Sequence, residues 1–557
     1  MVEDVSVLIV GGGPVGLALA GELGWRGVKS MLIEKSGGIP PQPRMDLVGI
    51  RSMEFCRRWG IVDWVENSGY NRDYPQDNIW VTHLNGYEFG REFFPTPANE
   101  KSPPYSPQHR ERCPQNFFDP VLARFAGHTG LSELQYNCAF KSFEDHGDHI
   151  IATVQDTRSG AERQIRARYL VGCDGGSSTV RNALNLSMEG DGVLTYSYNV
   201  IFRCDGLEKL HKIRPGYRFV FIGPEGGWAV MVAANGRDQW RFSFVGDREK
   251  REYPEAEVRK AIVRAVGREF DFEVLSVLPW TRRQLVAKQY RKGNAFIAGD
   301  AAHVTSPTGG FGMNTGILDI VNLGWKLAAV VQGWGGEHLL DSYELEQHPV
   351  AVRNVTEAGE DLRRLLSTRT NRLDPRAYED NTPEFDEARK AFGDAYTQMM
   401  KREWFTPGVH LGYVYEHSPI IVPDGTPAPR NQLAHYDQTA RPGSRAPHVW
   451  LEPGHSTLDL FGRKFVLLRF GAVPTPVQAL VDAAARVGMP LQVVDLDNAE
   501  AEKLYENKLV LVRPDGSVAW RADAVPEDAQ HIVDTLRGAI DPSPHHLERR
   551  EYVLAEH

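Results

Sequence analysis

The residues whose spacing first suggests chemistry are three glycines, in Gly11-x-Gly13-x-x-Gly16, between an apolar run and a helical pattern. In such a turn the first glycine permits a tight bend, the second lets a pyrophosphate approach the backbone, and the third lets helix and strand pack closely. The helix N-terminus adds free N–H groups and partial positive charge. Glu34 ends the next short strand, where an acceptor for a ribose hydroxyl is expected. Chance glycine spacing is the alternative. The predicted dinucleotide site also includes Pro14, Val15 and Lys35.

A second string, residues 293–314, indicates that the dinucleotide is FAD. An apolar strand ends at Gly299-Asp300, and a glycine-rich segment then opens a helix. An aspartate at a strand end can accept hydrogen bonds from a ribityl chain, and N–H groups at the helix start can bind the pyrimidine edge of a reduced flavin. The alternative is an ordinary strand, turn and helix with a capping aspartate. The predicted FAD contacts in this segment are Asp300, Gly310, Gly312, Met313 and Asn314.

A third string, residues 169–181, places Asp174, a further predicted FAD contact, after another apolar strand. In order and spacing, the three strings together resemble the single-component (class A) FAD-dependent aromatic hydroxylases. The resemblance continues through residues 412–419 and 442–448 to residues 513–521. This last stretch resembles the thioredoxin-like C-terminal domain of the phenol-hydroxylase-like members. The tail contains no cysteine and cannot be a dithiol redox module, so we expect a packing or dimer-contact role.

The resemblance implies an NAD(P)H-dependent flavoprotein aromatic monooxygenase. In this family NADPH or NADH reduces FAD, and O2 then adds to give a C4a-hydroperoxyflavin that is shielded from water. The distal oxygen is transferred to a phenolic ring, ortho to its hydroxyl. A small phenolic or aromatic substrate and a homodimer are therefore expected. The ring and the choice of nicotinamide stay open.

The resemblance also implies roles for individual residues. Asp46 stands five residues before Arg51, the spacing at which phenol-hydroxylase-like members keep an aspartate beside the substrate hydroxyl. A carboxylate there could accept the phenol proton. Arg44 would lie against the flavin, Pro307 would flank the reactive C4a position, and Gln115 would contact the ribityl chain. A capping aspartate, a solvated arginine and an ordinary helix residue are the corresponding alternatives.

Short aromatic-rich strands between residues 199 and 245 predict an antiparallel sheet over the substrate. Alternation gives each strand one face toward a pocket, but the sequence does not tell which face. Core packing is the alternative for each aromatic residue. The predicted substrate contacts are Asp46, Val48, Phe219, Phe221, Trp228 and Gly309. Arg203, Arg218 and Arg241 could reach a carboxylate on the ring, although no basic cluster argues clearly for one.

Three other functions compete with hydroxylation. A halogenase of the same fold is disfavoured because its Trp-x-Trp-x-Ile-Pro string is absent. A membrane-associated epoxidase or reductase would need a more apolar C-terminal helix than residues 529–538 provide. A non-catalytic FAD-binding scaffold would bind FAD without phenol-stimulated NAD(P)H oxidation. Since HExxH and CxxC strings are absent, no metal site is expected.

An α/β fold must position these residues, because the first strands and helix form a β-turn-α-β unit. We predict a Rossmann-like FAD-binding domain over residues 1–180 and 281–395, with an inserted antiparallel-sheet substrate domain over residues 181–280. A linker and a thioredoxin-like domain without CxxC follow over residues 396–557. In the tail we expect strands at 465–470 and 491–495, a hairpin over 509–520, and helices at 477–487 and 529–538.

Composition excludes several classes of partner and location. The 557 residues carry a net charge of −10 without a basic stripe, which argues against nucleic acid. Five cysteines, an odd number without CxxC pairs, favour a reducing cytoplasm. The uncharged run 5–21 follows Glu3 and Asp4 and is too short to span a bilayer, so a buried strand and helix explain it better than a signal peptide or membrane segment.

Overall fold

The computed structural model describes residues 3–38, 43, 45–379 and 382–542. The strands are β1 (Glu3–Val10), β2 (Ser30–Glu34), β3 (Leu47–Val48), β4 (Asn78–Val81), β5 (Glu88–Glu92), β6 (Glu111–Arg112), β7 (Ser132–Tyr136), β8 (Cys138–Asp145), β9 (Ile150–Asp156), β10 (Glu162–Gly172), β11 (Met188–Arg203), β12 (Arg218–Gly223), β13 (Gly226–Ala233), β14 (Gln239–Phe244), β15 (Glu273–Ala287), β16 (Arg291–Lys292), β17 (Ala295–Ile297), β18 (His303–Val304), β19 (Trp450–Glu452), β20 (His455–Ser456), β21 (Phe465–Phe470), β22 (Leu491–Leu496), β23 (Leu509–Val512) and β24 (Val518–Ala522). The α-helices are α1 (Pro14–Trp25), α2 (Ile50–Trp59), α3 (Val62–Glu66), α4 (Gln115–His128), α5 (Thr179–Leu184), α6 (Glu255–Val266), α7 (Phe311–Val331), α8 (Ser342–Leu366), α9 (Asp386–Trp404), α10 (Pro407–Leu411), α11 (Gln478–Arg486), α12 (Ala499–Tyr505) and α13 (Ala529–Leu536).

The first sheet is built around the predicted β-turn-α-β unit. Strands β17, β10, β1, β2 and β7 run parallel in that order, and β8, β9 and β16 extend the sheet as antiparallel neighbours. Because β1 is covered on both faces, Val7, Leu8 and Ile9 are fully buried. Helices α4 and α7 both pack against α1. The carboxyl ends of these parallel strands meet at one edge, where ligands bind in open α/β sheets.

The second sheet, called the substrate sheet below, has eight strands in the order β18-β15-β11-β14-β13-β12-β4-β5. Neighbouring strands are antiparallel except β4 and β12, which are parallel. Strands β4 and β5 lie within residues 1–180, a segment predicted to belong to the FAD-binding domain. The sheet is thus larger than the insertion 181–280, because its edge is completed by a hairpin about 140 residues earlier in the chain.

Helix α9 was not predicted, and it crosses the domain boundary proposed at residues 395 and 396. Its buried Phe392, Tyr396 and Met400 pack with Trp80 of β4 and Phe89 of β5. The helix therefore covers the edge of the substrate sheet. No helix within the described ranges is long and apolar enough to cross a membrane.

The tail forms a four-stranded sheet in the order β22-β21-β23-β24, with β21 and β22 parallel and the other pairs antiparallel. The predicted strands and helices of the tail lie within a residue or two of the observed bounds, whereas helix α12 was not predicted. The tail packs on α7, where the rings of Trp325 and Phe465 meet edge to face at 5.8 Å. Beside them, Glu346 of α8 forms a fully buried ion pair with Arg513, which is direct evidence for a packing role of the tail.

Candidate active site

A cavity of about 1380 Å³ is lined by residues of both large sheets. The turn after β1, the end of β2, the turn after β10 and the start of α7 form one side. Strands β11 to β15 form the other. All three glycine-containing strings, far apart in the sequence, therefore meet at one site.

The turn between β1 and α1 is shaped by its glycines. Gly11 has φ +112°, and a Cβ there would lie 2.4 Å from the Cys173 carbonyl oxygen. A Cβ on Gly16 would lie 2.0 Å from the Gly11 oxygen, so this glycine permits close packing of helix and strand. Gly13 differs, because a Cβ there would meet no atom within 4 Å and would enter the cavity. The first turn of α1 has no acidic residue and no side-chain cap, which leaves its N–H groups free for an anion.

Glu34 reaches toward the same turn from the end of β2. One carboxylate oxygen accepts a hydrogen bond from the Gly12 N–H at 2.8 Å, and the other accepts one from the Ser36 N–H at 2.8 Å. Pro14, Val15 and Lys35 line the cavity beside it. Glu34 thus lies in the position predicted for the ribose acceptor, with its carboxylate fixed by backbone donors.

A second helix start faces the cavity at α7. Gly309 and Gly310 have φ values of +77° and +68°, a conformation that favours glycine, and they turn the chain into the helix. The first turn of α7 has no acidic residue and no side-chain cap. Gly312 and Met313 line the cavity here, as do Pro307 and Asp300. Two uncapped helix N-termini in one cavity match the two parts of FAD that carry negative charge, its central pyrophosphate and its reduced flavin ring.

Several predicted FAD residues have structural contacts of their own. Asp174 lines the cavity but also caps α5, accepting hydrogen bonds from the N–H groups of Thr179 at 2.6 Å and Val180 at 3.2 Å. Gln115 lines the cavity and donates to Asp119 at 3.1 Å. Arg44 lies outside the described residues.

Asn314 is not among the residues that line the cavity, and its side chain is bound within the protein, so its contact with FAD stays a prediction. Its Oδ1 accepts hydrogen bonds from the Gly49 N–H and the Ser52 hydroxyl, both at 2.7 Å, and its Nδ2 donates to the Leu47 oxygen at 3.2 Å. This amide therefore ties the start of α7 to the loop before α2. That loop carries Asp46, so Asn314 positions the substrate side of the cavity.

Asp46 lies at the centre of a charged cluster in the cavity. Its Oδ1 accepts from Arg112 at 3.2 Å, and its Oδ2 accepts from Arg241 at 3.1 Å and from the Tyr217 hydroxyl. Burial alone would raise the pKa of Asp46, but Arg241, Arg112 and the Tyr217 hydrogen bond hold it below its usual value. Asp46 is therefore a carboxylate at neutral pH, while burial raises the pKa of Tyr217 and keeps its hydroxyl protonated.

Sequence reasoning missed Arg112 and Tyr217 as members of this cluster. Tyr217 directly precedes β12, and alternation would group it with Phe219 and Phe221, which face away from the cavity, so the strand pattern does not predict its position. Arg112 comes from β6, a two-residue strand that pairs with β3 and brings Arg112 opposite Leu47. No local signal marks such a short pairing.

The aromatic residues predicted to contact substrate lie on the wrong face of the substrate sheet. Phe219 and Phe221 are fully buried in a core cluster with Val258 and Ile262 of α6, and Trp228 packs against that cluster. Because α6 covers this face, the opposite face meets the cavity. The cavity-facing residues of strands β11 to β14 are instead Asn199, Arg218, Val230, Val232, Arg241 and Ser243.

Two further predictions about substrate contacts are corrected, and one is matched in position. Val48 is fully buried in the main core and does not line the cavity, whereas its neighbours Leu47 and Gly49 do. Arg203 points to the surface and pairs with Glu273 at 3.0 Å, so it cannot reach a bound ring. Gly309 lines the cavity, and its contact with substrate stays a prediction.

One group of possible metal ligands occurs among the described residues, formed by Glu66, His109 and Glu111. Arg72 already lies between the two carboxylates, 3.4 Å from Glu66 and 2.8 Å from Glu111. A guanidinium therefore supplies the positive charge that a cation would bring.

Known proteins resemble the chain over nearly its whole length. Residues 4–358 match the FAD binding domain family, and residues 439–542 match the family described as aromatic-ring hydroxylase, C-terminal. A putative polyketide hydroxylase of Streptomyces halstedii is 33% identical, with 97% of each chain covered. The 4-methyl-5-nitrocatechol 5-monooxygenase of a Burkholderia species is 32% identical over 96% of this chain and 98% of its own.

Solved structures agree with these matches. The rebeccamycin biosynthetic enzyme RebC with reduced flavin has a TM-score of 0.89 and 38% identity, covering 97% of this chain and all of its own. Aklavinone-11 hydroxylase in complex with FAD and aklavinone has a TM-score of 0.79 and 27% identity, covering 96% and 99%. The two helix starts and the glycine turns fit FAD, which supplies the oxygen-activating chemistry when it is bound. The chain therefore belongs to the FAD-dependent aromatic-ring hydroxylases, flavoprotein monooxygenases that use NAD(P)H and O2.

Proposed function

We propose that this enzyme hydroxylates a phenolic ring at a carbon ortho to its hydroxyl, and that the hydroxyl binds at Asp46. The observation that supports the proposal is the Asp46 cluster, a buried carboxylate with two arginines and a tyrosine hydroxyl in a cavity otherwise suited to a flavin. The Asp46 side chain keeps 20% of its surface exposed, so a substrate hydroxyl can reach it.

The charges of the cluster suggest how the phenol is activated. Because the pKa of Asp46 is lowered further below that of a phenol, complete transfer of the phenol proton to this carboxylate is strongly unfavourable. Asp46 alone therefore holds the hydroxyl by a hydrogen bond and draws its proton only in part. Arg112 and Arg241 complete the activation of the phenol. Their two guanidiniums, beside the substrate oxygen, stabilise the phenolate and make the ring carbon more nucleophilic.

The test is NAD(P)H oxidation by the FAD-loaded protein across a panel of phenols, with the hydroxylated product quantified. Asp46→Asn should lower phenol-stimulated product formation by about 100-fold or more and leave bound FAD unchanged. Tyr217→Phe should have a smaller effect, because it removes one hydrogen bond and no charge. Asp63→Asn, at an exposed aspartate, is the control.

Product formation by Asp46→Asn at the wild-type rate would exclude Asp46 as the hydroxyl site. Bound FAD without stimulation by any phenol would favour a non-catalytic flavoprotein. A product hydroxylated at a carbon other than the ortho position would refute the proposed regiochemistry. The expected homodimer stays a prediction that light scattering can check.

A further inference from the structure

Arg282 of β15 is a buried guanidinium in the cavity without an acidic partner. The residue is 7% exposed and lines the cavity. Its only hydrogen bond within the described ranges runs to the Thr195 hydroxyl at 3.4 Å, and its Nε has no partner. Burial and the nearby positive charges of Arg218, Arg369 and Arg241 together lower the pKa of Arg282 to about 10. A buried charge without a partner destabilises the protein, and an anion bound beside Arg282 would relieve this cost.

Three other arginines of the cavity each have a carboxylate partner, and Arg282 has none among the described residues. Arg112 and Arg241 both bind Asp46, and Arg218 binds Glu403 at 2.8 Å. Arg282 and these three arginines thus face two carboxylates, those of Asp46 and Glu403. The whole chain is acidic, with a net charge of −10, so this local excess of two positive charges is not a general property of the protein.

The surroundings of Arg282 suit an aromatic acid. Trp280, two residues earlier on the same side of β15, also lines the cavity and offers apolar surface to a ring. The Thr195 hydroxyl holds one terminal nitrogen of the guanidinium, leaving its other donors available to a planar, two-oxygen partner.

We propose that Arg282 binds a carboxylate carried by the aromatic substrate while the ring hydroxyl lies at Asp46. This inference rests on the proposed function and narrows its substrates to hydroxylated aromatic acids. A neutral phenol would leave Arg282 uncompensated and bind less tightly. The carboxylate also fixes the orientation of the ring, because its two polar ends are held by different segments, Asp46 just before β3 and Arg282 on β15 of the substrate sheet.

The test compares acids with their amides, which have the same shape but no charge. Flavin absorbance changes and calorimetry would give the Kd values of benzoate, 3-hydroxybenzoate and 4-hydroxybenzoate and of the three matching benzamides. The wild type should bind each acid about tenfold or more tightly than its amide. Arg282→Met should bind acid and amide nearly equally, and Arg282→Lys should keep part of the preference.

Arg203→Met is the matched control, because it removes the same charge from the same sheet at a surface position. It should keep the preference for acids, which separates direct contact from long-range electrostatics. Arg282→Met should keep bound FAD and, without ligand, unfold at a temperature no lower than the wild type. A lowered melting temperature with an unchanged preference would show a structural role instead and overturn the inference.

Three other results would overturn it: equal binding of acids and amides by the wild type, no measurable binding of any acid, or an Arg282→Met variant whose only change is a higher KM for NADPH. The last would assign Arg282 to the phosphate of the dinucleotide.

Failure of the proposed function would give a different result. Acids would then bind with the Arg282-dependent preference without any hydroxylated product, whereas neutral phenols hydroxylated as well as acids would refute the carboxylate site alone.

Discussion

Replacing Gly13 with alanine should weaken FAD binding and leave the fold intact, whereas the same change at Gly11 should damage the fold. At Gly13 the backbone has φ −80°, which alanine adopts freely, and the added Cβ meets no atom within 4 Å. The methyl group would instead occupy the space where a pyrophosphate approaches the start of α1. Losing one charge-assisted hydrogen bond costs about 1.5–3 kcal/mol, which corresponds to about 10- to 100-fold in Kd.

At Gly11 the structure predicts a loss of stability rather than a specific loss of FAD affinity. With φ +112° an alanine is strained by about 1–3 kcal/mol, and its Cβ would lie 2.4 Å from the Cys173 carbonyl oxygen. Together these costs should reach about 3 kcal/mol or more. The chain must shift either the β1 turn or the end of β10 to relieve the overlap.

The assay uses apoprotein of the wild type and both variants. Fluorescence titration with FAD gives the Kd, and thermal unfolding without FAD gives the stability. Gly13→Ala should raise the Kd with little change in melting temperature, and Gly11→Ala should lower the melting temperature by several degrees. Wild-type affinity in Gly13→Ala would refute the placement of the pyrophosphate at this turn. Wild-type stability in Gly11→Ala would refute the steric argument.

Three further predictions concern stability and thiol chemistry. Glu346→Gln breaks the buried ion pair with Arg513 and should lower the free energy of unfolding by about 3–5 kcal/mol in urea titrations, while the exposed Glu337→Gln should change it little. Although burial opposes it, Arg445 helps lower the pKa of Glu54 from 4.5 to about 2. The pair of Glu54 and Arg445 stabilises the protein fully above pH 4.5, and about 3 kcal/mol of this stability is lost as the pH falls toward 2. The free energy of unfolding should therefore change less between pH 5 and pH 3 in Glu54→Gln than in the wild type. The five cysteines are free and buried, so a thiol reagent should label none of them in the native protein and all five after denaturation.

Much of the flavin half of the site could be predicted because its requirements are local. A tight turn needs glycine at Gly11, and close packing needs glycine at Gly16, whatever the rest of the chain does. Glu34, at the end of β2, follows the glycine turn at a distance set by the lengths of α1 and β2, so its position could be predicted as well. The tail was predictable for the same reason, since its strands and helices are short, strongly patterned and bounded by turn residues.

The substrate half could not be predicted because it depends on contacts between distant segments. Alternation predicted two faces for β12 and β13, but a register shift turns Trp228 toward the core while Val230 and Val232 line the cavity. Only the docking of α6 decides which face is core. That decision turns Phe219 and Phe221 away from the cavity and turns Arg218 toward it. The joining of β4 to β12 and the position of Arg112 beside Asp46 are likewise long-range pairings without a local signal.

The sequence by itself determined the fold class, the FAD site and the enzyme family, because glycine turns and strand ends are properties of short segments. Only the tertiary structure decided that the substrate sheet turns Arg218 and Arg241 toward the cavity and turns Phe219 and Phe221 away from it. The physical reason is that a strand exposes its two faces equally until another element buries one of them, and the residues left facing the cavity then set which substrates it accepts.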